Sequence, residues 1–193
     1  MCSQLTEAEK ICWGQIQYQG IICASLLLTN SLSDFYITNI TDENLPYTAV
    51  IEMSALVDKA QFGGRALVYL PKYLSPDSPD FSLSDAAIQE RFLSGLEKMY
   101  PSFRRDHVLR FQVSRVQHLL PIPTLNYSEK LPPPTTSIPG LHIVNSAHIV
   151  NGTLNVNETV QLAETTARRF ARETASAESA TQVIGHEFAQ AHS

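Results

Sequence analysis

The sequence predicts an α+β fold: an antiparallel sheet with one covering helix, followed by a separate strand–helix element. Three observations support this prediction. Short runs rich in β-branched and aromatic residues crowd the first 70 residues, with brief polar turns between them. A helical pattern and then an alternating pattern follow, and a proline-rich stretch separates them from a last strand and a last helix. Because parallel strands need long crossover connections, the short turns favour antiparallel pairing.

The first four strands are predicted from segments of high β propensity. Turn-forming residues separate these segments, including Asn30 and Ser31, the stretch Asp42–Asn44, and Gly63 with Gly64. The predicted strands are Ile21–Leu28, Phe35–Ile40, Tyr47–Met53 and Ala66–Leu70.

A covering helix is predicted over Asp85–Tyr100, with Ser84 as its N-cap. Apolar residues recur at helical spacing along one face, at Ile88, Phe92, Leu96 and Met99. Pro101 disfavours a helical conformation at the preceding residue, so the helix is expected to end there. The next segment, His107–Leu119, alternates between its two sides and predicts a long strand.

The last part of the chain reads as a crossing segment followed by a strand and a helix. Six prolines between Pro121 and Pro139 predict an extended connection rather than a domain. A short strand is expected over Leu141–Asn145 and a helix over Val156–Arg172. The predicted organisation is therefore a sheet domain at 1–119, a crossing segment at 120–139, a strand–helix element at 140–173 and a tail at 174–193.

The start of the last helix carries the clearest local signal. Asn155 is expected to be the N-cap, and Glu158 is placed to reach back to the cap amide as in a capping box. Asn151 and Gly152 precede the cap, and the glycine allows positive φ and close approach of a ligand. A helix N-terminus presents free N–H groups and partial positive charge, so this turn is either a ligand site or simply a structural turn. The expected buried stripe of the helix consists of Val156, Val160, Ala163, Ala167 and Phe170.

Composition argues against several classes of function. The net charge is −5, and basic residues cluster only at Arg104–Arg105 and Arg168–Arg169, so we expect no nucleic-acid partner. The longest apolar run, Ile21–Leu28, is shorter than the ~20 residues of a membrane span, so no transmembrane segment is predicted. Three cysteines without CxxC spacing indicate a cytoplasmic protein, with peripheral membrane contact left open. His186–Gln190 lacks the second histidine of an HExxH site, so no metal is predicted.

Two separated blocks of the sequence carry a resemblance to a known family. The block "GLHIVNSAHIVNGTLNVNETVQLAE", preceded by "VSRVQHLLPIPTLNYS", resembles the C-terminal end of FAD-dependent amine oxidoreductases of the protoporphyrinogen-oxidase-like group. The upstream block "YITNITDENLPYTAVIEMSALVDKAQFGGRALVYLPKYLSPD" is similar to the substrate-binding sheet of bacterial members. The resemblance covers residues 11–172 and implies that the last strand and helix belong to an FAD-binding domain.

The resemblance also implies where a flavin would bind. Asn145 and Ser146 occupy the place of the family's Gly-Asp pair near the ribityl–phosphate region, although Ser146 replaces the acidic residue with a neutral one. The turn comprising Asn151, Gly152, Thr153, Leu154 and Asn155 corresponds to the loop whose amides face the pyrimidine edge of the flavin. Negative charge that develops there on reduction would be stabilised by the helix N-terminus.

Three residues of the sheet domain are candidates for substrate binding. Arg115, near the end of the long strand, is either a clamp for a carboxylate or phosphate or an ordinary strand-end arginine. Tyr36 and Tyr69 either line the substrate cavity or pack in the sheet. No catalytic residue is assigned, because hydride transfer to flavin depends on orientation and the cofactor carries the chemistry.

One departure from the family pattern changes what is expected of this chain. FAD enzymes of this type hold the ADP half of the cofactor with a GxGxxG turn, and no GxGxxG occurs in this sequence. The chain is therefore expected to be the C-terminal portion of an oxidoreductase for a small-molecule substrate, with an incomplete FAD site. Whether it is itself an enzyme stays open.

Two alternatives remain beside this reading. In one, the chain is a non-catalytic subunit that needs a separate chain carrying the GxGxxG half. In the other, it is a UDP-galactopyranose-mutase-like flavin-dependent isomerase, for which Arg65 and Arg115 would have to converge on a diphosphate.

Overall fold

The computed structural model describes residues 2–190, with side chains through residue 175. The chain divides into two compact units. One, the sheet unit, is Tyr18–Ile122, and the other, the terminal unit, combines Met1–Gln17 with Pro123–Ser193. The first 17 residues therefore belong with the C-terminal part of the chain rather than with the sheet.

The sheet unit contains five strands in the order β2-β3-β4-β1-β5, all paired antiparallel. This architecture confirms the predicted α+β class with its antiparallel sheet. All five strands predicted within the sheet domain are present, with β2 and β3 shorter than expected. The strands are β1 Tyr18–Leu28, β2 Ile37–Asn39, β3 Ala49–Glu52, β4 Ala66–Leu74 and β5 Val108–Pro121.

Residues 2–190 contain four α-helices: α1 Glu7–Gly14, α2 Asp85–Met99, α3 Tyr127–Lys130 and α4 Val156–Gln190. Short 3-10 turns occur at Met53–Ala55, Lys59–Phe62, Pro79–Ser82, Arg105–His107 and Ser146–His148. Within the described part of the chain, no helix is both long and apolar enough to cross a membrane.

Helix α2 covers one face of the sheet, as the sequence predicts. The Ser84 hydroxyl accepts a hydrogen bond from the Ala87 amide, which confirms the N-cap. Gly95 makes close packing possible, because a Cβ there would lie 2.8 Å from Pro46 Cδ and 2.9 Å from Tyr47 Cε1. Each large side chain buried in this core contributes about 1.5–3 kcal/mol. The core joins Ile88, Phe92, Leu93 and Leu96 of α2 to Ile22, Leu26, Leu28, Val68 and Leu70 of the sheet.

The other face of the sheet, which we term the open face, is half-exposed. Side chains alternate between the two faces of a strand, so the residues between the core positions point to this side. Tyr69 of β4 lies at its centre, paired with Ser25 on β1 and Ile51 on β3. Its other members include Ile21, Cys23, Leu27 and Leu67.

A buried carboxylate fixes the connection between β1 and β2. Two strands separate β1 from β2, so the eight residues between them must cross the end of the sheet. Glu52, at the end of β3, is fully buried and accepts hydrogen bonds from the amides of Leu32 (2.9 Å) and Ser33 (3.1 Å). Its other oxygen accepts from the Ser54 hydroxyl at 2.9 Å. The carboxylate thereby satisfies backbone donors that the crossing removes from water.

The terminal unit is fastened by Glu9 of α1, a helix that the sequence analysis did not predict. Thr6 and Glu9 form a capping box at the start of α1. The Glu9 carboxylate also accepts hydrogen bonds from the Ser137 hydroxyl (2.7 Å) and the Ser137 amide (2.6 Å). These bonds, with those from Thr6, lower the pKa of Glu9 from 4.5 to about 2. They join residues 128 positions apart in the chain.

The predicted strand Leu141–Asn145 is wrong. This segment makes one isolated bridge, between Thr135 and His142, through bonds from the Ile143 amide to the Pro134 carbonyl and from the Thr136 amide to the Leu141 carbonyl. The Leu141 amide bonds only locally, to the Ile138 carbonyl. The facing segment contains Pro132, Pro133 and Pro134, which have no N–H groups, so no regular ladder can extend along it.

Helix α4 begins at the predicted residue but exposes the face that was expected to be buried. Val156 is 77% exposed and Val160 51% exposed, and Ala163 and Ala167 are exposed as well, so the predicted stripe is wrong at every position except Phe170. The less exposed side chains are those of Glu158, Leu162, Thr166 and Phe170, a row of i, i+4 neighbours. Part of the predicted tail, 174–193, is helical because α4 continues to Gln190; residues 191–193 lie outside the described residues.

We expect Glu52→Ala to lower the free energy of unfolding by roughly 3 kcal/mol, because a buried, charged acceptor of three hydrogen bonds is lost. Urea denaturation followed by circular dichroism measures this change. Amide exchange at Leu32 and Ser33 should accelerate in the same variant. Glu43→Ala, which removes an exposed carboxylate, is the control and should leave both measurements unchanged. Unaltered exchange at the two amides in Glu52→Ala would contradict the proposed anchor.

We expect the Glu9–Ser137 link to stabilise the terminal unit above about pH 4.5 and to weaken as the pH falls toward 2, because folding lowers the pKa of this carboxyl. NMR titration of the Glu9 side chain should show the low pKa directly. Ser137→Ala should raise that pKa toward 4.5, whereas Ser128→Ala, at an exposed position, should not change it. An unchanged Glu9 pKa in Ser137→Ala would disprove the link.

Candidate functional site

A cavity of about 420 Å³ lies in the terminal unit, between helix α4 and the segment that precedes it. Its walls are mostly apolar, with a few polar side chains among them. The lining residues on the preceding segment are His142, Val144, Asn145, Ser146 and Ile149, and those on α4 are Thr159, Leu162, Ala163, Thr166, Ala167 and Phe170.

The segment wall is shaped by a single 3-10 turn, Ser146–His148, with Asn145 as its cap. The Asn145 side-chain oxygen accepts from the Ala147 amide at 2.9 Å, and the Asn145 amide donates to His148 Nδ1 at 3.3 Å. His148 Nε2 lies 3.2 Å from the Pro132 carbonyl, which is only an acceptor. The Pro132 carbonyl can only accept, so the contact with Nε2 requires a proton there, whereas Nδ1 lies 3.3 Å from both the amide nitrogen and the carbonyl oxygen of Asn145.

Two aromatic residues hold this turn in place from outside. The Tyr127 hydroxyl donates to the Ala147 carbonyl at 2.9 Å, and Ala147 is fully buried. The Trp13 ring, on α1, meets the His148 ring edge to face at a centroid distance of 5.5 Å. The backbone on this side of the cavity is therefore ordered by the protein's own contacts, without help from a ligand.

The α4 wall combines small residues with one aromatic stack. Ala163 and Ala167 are small lining residues of α4, which leaves space beside the helix. The His142 and Phe170 rings, which also line the cavity, stack at a centroid distance of 3.8 Å and an angle of 28°. Arg169 lies over the same phenyl ring, with Cζ 4.9 Å from its centroid. The lining thus includes a flat, polarizable aromatic surface.

Of the seven residues predicted for cofactor binding, Asn145 and Ser146 line the cavity. The Asn145 side-chain nitrogen and the Ser146 hydroxyl have no hydrogen-bond partner among the described residues, and both groups can donate to a ligand. Their polar atoms border apolar walls, an arrangement typical of sites that orient a small molecule.

The other five, Asn151 to Asn155, form the exposed turn before α4 and do not line the cavity. Asn155 is the N-cap, as predicted, and accepts from the Glu158 amide at 2.9 Å. Its side-chain nitrogen donates to the Thr153 carbonyl at 3.0 Å. Glu158 does not complete a capping box: its carboxylate packs against Gly152, where a Cβ would lie 2.7 Å from Glu158 Cδ. The positive end of α4 is thus compensated by the helix's own acidic side chain.

The three predicted substrate-binding residues lie in the sheet unit and do not form one cluster. Arg115 Nη1 pairs with Asp85 Oδ1 at 2.6 Å, and Nη2 donates to the Leu83 carbonyl at 2.8 Å. The guanidinium therefore ties β5 to the start of α2. Tyr69 lies on the open face, whereas Tyr36 precedes the edge strand β2, is 40% exposed, and lies two strand spacings, roughly 10 Å, from β4.

Sequence reasoning missed the residues that order the cavity. The sequence analysis assigned no role to His142 or His148, and Trp13 and Tyr127 carried no local signal because their partners are distant in sequence. Among the side chains that the structure describes, no group of three or more His, Cys, Asp or Glu residues could hold a metal ion. The side chains of the His186–Gln190 motif lie outside that description.

Comparison with known proteins gives one line of similarity, which is structural. No protein-family model matches the chain, and no curated protein matches it significantly. Among solved structures, an oxidoreductase from Methanosarcina mazei matches with a TM-score of 0.57 and 18% sequence identity. The match covers 86% of this chain and 38% of that protein. At this level of identity the similarity establishes the fold.

We expect His148→Leu to loosen the cavity wall, because the imidazole accepts from the Asn145 amide and bonds the Pro132 carbonyl. Amide exchange at Asn145 and Ala147 should accelerate roughly tenfold, the equivalent of one lost hydrogen bond. His142→Leu is the control, because that ring only stacks on Phe170 and should leave the two amides unchanged. Equal effects of the two variants would disprove the assigned role of His148.

Proposed function

We propose that this chain supplies the substrate-binding sheet and the ring end of the flavin site of an FAD-dependent oxidoreductase of the amine-oxidase and protoporphyrinogen-oxidase-like group. The observation that carries the proposal is the position of Asn145 and Ser146, which line a cavity on the segment that resembles this family. The structural similarity to an oxidoreductase over 86% of the chain supports the same class of reaction.

The cavity fits one end of FAD and not the other. Its volume lies within the usual range for small-molecule sites, and its apolar walls and aromatic surface suit a flat ring system. The side-chain amide of Asn145 and the hydroxyls of Ser146 and Thr166 can hydrogen-bond to ring carbonyls and ribityl hydroxyls. No lysine or arginine lines the cavity, so it offers nothing to a diphosphate. The chain would therefore hold the ring and ribityl part, and the ADP part would need a GxGxxG turn from elsewhere.

In this proposal the flavin carries out the redox chemistry, and the protein residues orient the flavin and the substrate. When bound, the flavin supplies the hydride acceptor for oxidation of a C–N or C–C bond in a small substrate. Asn145 and Ser146 orient the ring end, and the apolar α4 wall excludes water from it. In the sheet unit, the open face around Tyr69 offers an apolar surface for substrate.

One of the two alternatives has a specific observation in its favour. A subunit that works only with a partner carrying the GxGxxG half would need an apolar surface to bind it, and Val156 and Val160 are exposed on α4. A mutase-like isomerase is less favoured, because Arg115 is already bonded to Asp85 and the Leu83 carbonyl.

We expect the purified chain to retain no flavin but to bind it weakly at equilibrium, with riboflavin and FAD bound about equally because no residue contacts the ADP part. Flavin fluorescence titration measures both dissociation constants. Ala163→Leu should weaken binding of both ligands at least about tenfold by filling the cavity. Thr165→Leu is the matched control: Thr165 lies on α4 but does not line the cavity, so this change should leave both dissociation constants unchanged.

The proposal is wrong if riboflavin does not bind, or if Ala163→Leu and Thr165→Leu bind it equally well. A preference for FAD over riboflavin of about 100-fold would contradict the half-site, since such a preference equals roughly 2.7 kcal/mol of contacts to the ADP part.

A further inference from the structure

Strand β5 presents a long backbone edge that the rest of the described chain does not use. It has 14 residues, lies last in the strand order and pairs only with β1. No hydrogen bond joins the outward backbone groups of 110–116 to any other described residue. Unpaired N–H and C=O groups in a row form a template for another strand.

This edge lacks most of the features that normally prevent strands from pairing between molecules. From Arg110 to Val116 the strand keeps one continuous register with β1, and the irregularities lie outside this stretch. The stretch, "RFQVSRV", contains no proline and no lysine; its charged residues are Arg110 and Arg115, and Arg115 is paired with Asp85. Natural edges are protected by proline, by charged side chains, by bulges or by being short. The opposite edge, β2, has only three residues.

We propose that two copies of this chain associate through their β5 edges, with the two strands antiparallel and related by a two-fold axis at Val113. This register uses the whole regular stretch, because position 110 then faces 116 of the partner copy. The other facing pairs are Phe111 with Arg115, Gln112 with Ser114, and Val113 with itself.

The sequence of the stretch is complementary to itself in this register. Each facing pair lies on the same side of the sheet, because paired positions have the same parity. Arg110 faces Val116 and Arg115 faces Phe111, so no two cations oppose each other. Gln112 and Ser114 are both exposed and can hydrogen-bond across the junction. A register centred on 110 or 115 would instead bring two arginines face to face.

Analytical ultracentrifugation across a concentration series tests the proposal through substitutions at position 116. Val116 is 42% exposed on the open face, so a charge there leaves the core intact. Because of the two-fold symmetry, position 116 of each copy faces Arg110 of the other. Val116→Lys would therefore oppose two cations at both contacts and should weaken the dimer roughly tenfold, whereas Val116→Glu should strengthen it by a similar factor. Tyr73→Lys is the matched control: it places the same charge on the same sheet face at 43% exposure, but on the inner strand β4.

Three results would overturn the proposal. The first is a wild-type chain that stays monomeric at about 200 µM. The second is a dimer whose dissociation constant moves in the same direction for Val116→Lys and Val116→Glu. The third is a dimer that Tyr73→Lys weakens as much as Val116→Lys does. Flavin takes no part in these measurements, so their outcome is independent of the flavin titration.

Discussion

The buried carboxylate of Glu52 is the interaction on which the sheet depends. The chain leaves the inner strand β1 and must reach the far edge before it can fold back through β3 and β4. Such a crossing removes backbone amides from water without offering them a strand as partner. Glu52 accepts from two of those amides and from Ser54, and so fixes where β2 begins.

The terminal unit is held together by bonds between distant parts of the sequence rather than by a large core. Glu9 joins α1 to Ser137, and Trp13 packs on His148. The turn that carries Asn145 and Ser146 is thereby fixed before any ligand arrives. A preformed wall reduces the conformational entropy that binding has to remove. The cavity can therefore be open and modest in size and still orient a ligand.

Local patterns predicted the sheet and α2, because alternation and capping are properties of neighbouring residues. They failed where a tertiary contact decides the structure. Leu141–Asn145 looks like a strand, but the prolines that it faces offer no donors. The helical period of α4 was correct, yet most of its predicted apolar stripe is exposed, since sequence alone does not say which face of a helix packs against the rest of the protein.

For the candidate site, Asn145 and Ser146 were predicted from family resemblance, whereas His148 bonds to Pro132, 16 residues away. One sequence signal was overlooked. Glu52 lies two residues after Val50 and therefore on the same side of β3, which is buried, so strand alternation indicates an acidic side chain in the core.

The sheet unit begins and ends on neighbouring strands, since Tyr18 of β1 pairs with Pro121 of β5. Its entry and exit points are therefore about 5 Å apart. A module whose two ends nearly meet can be inserted into a host without stretching it. Residues 18–122 therefore form a module whose two ends nearly meet, so that exchanging this module would leave the path of the flanking chain unchanged.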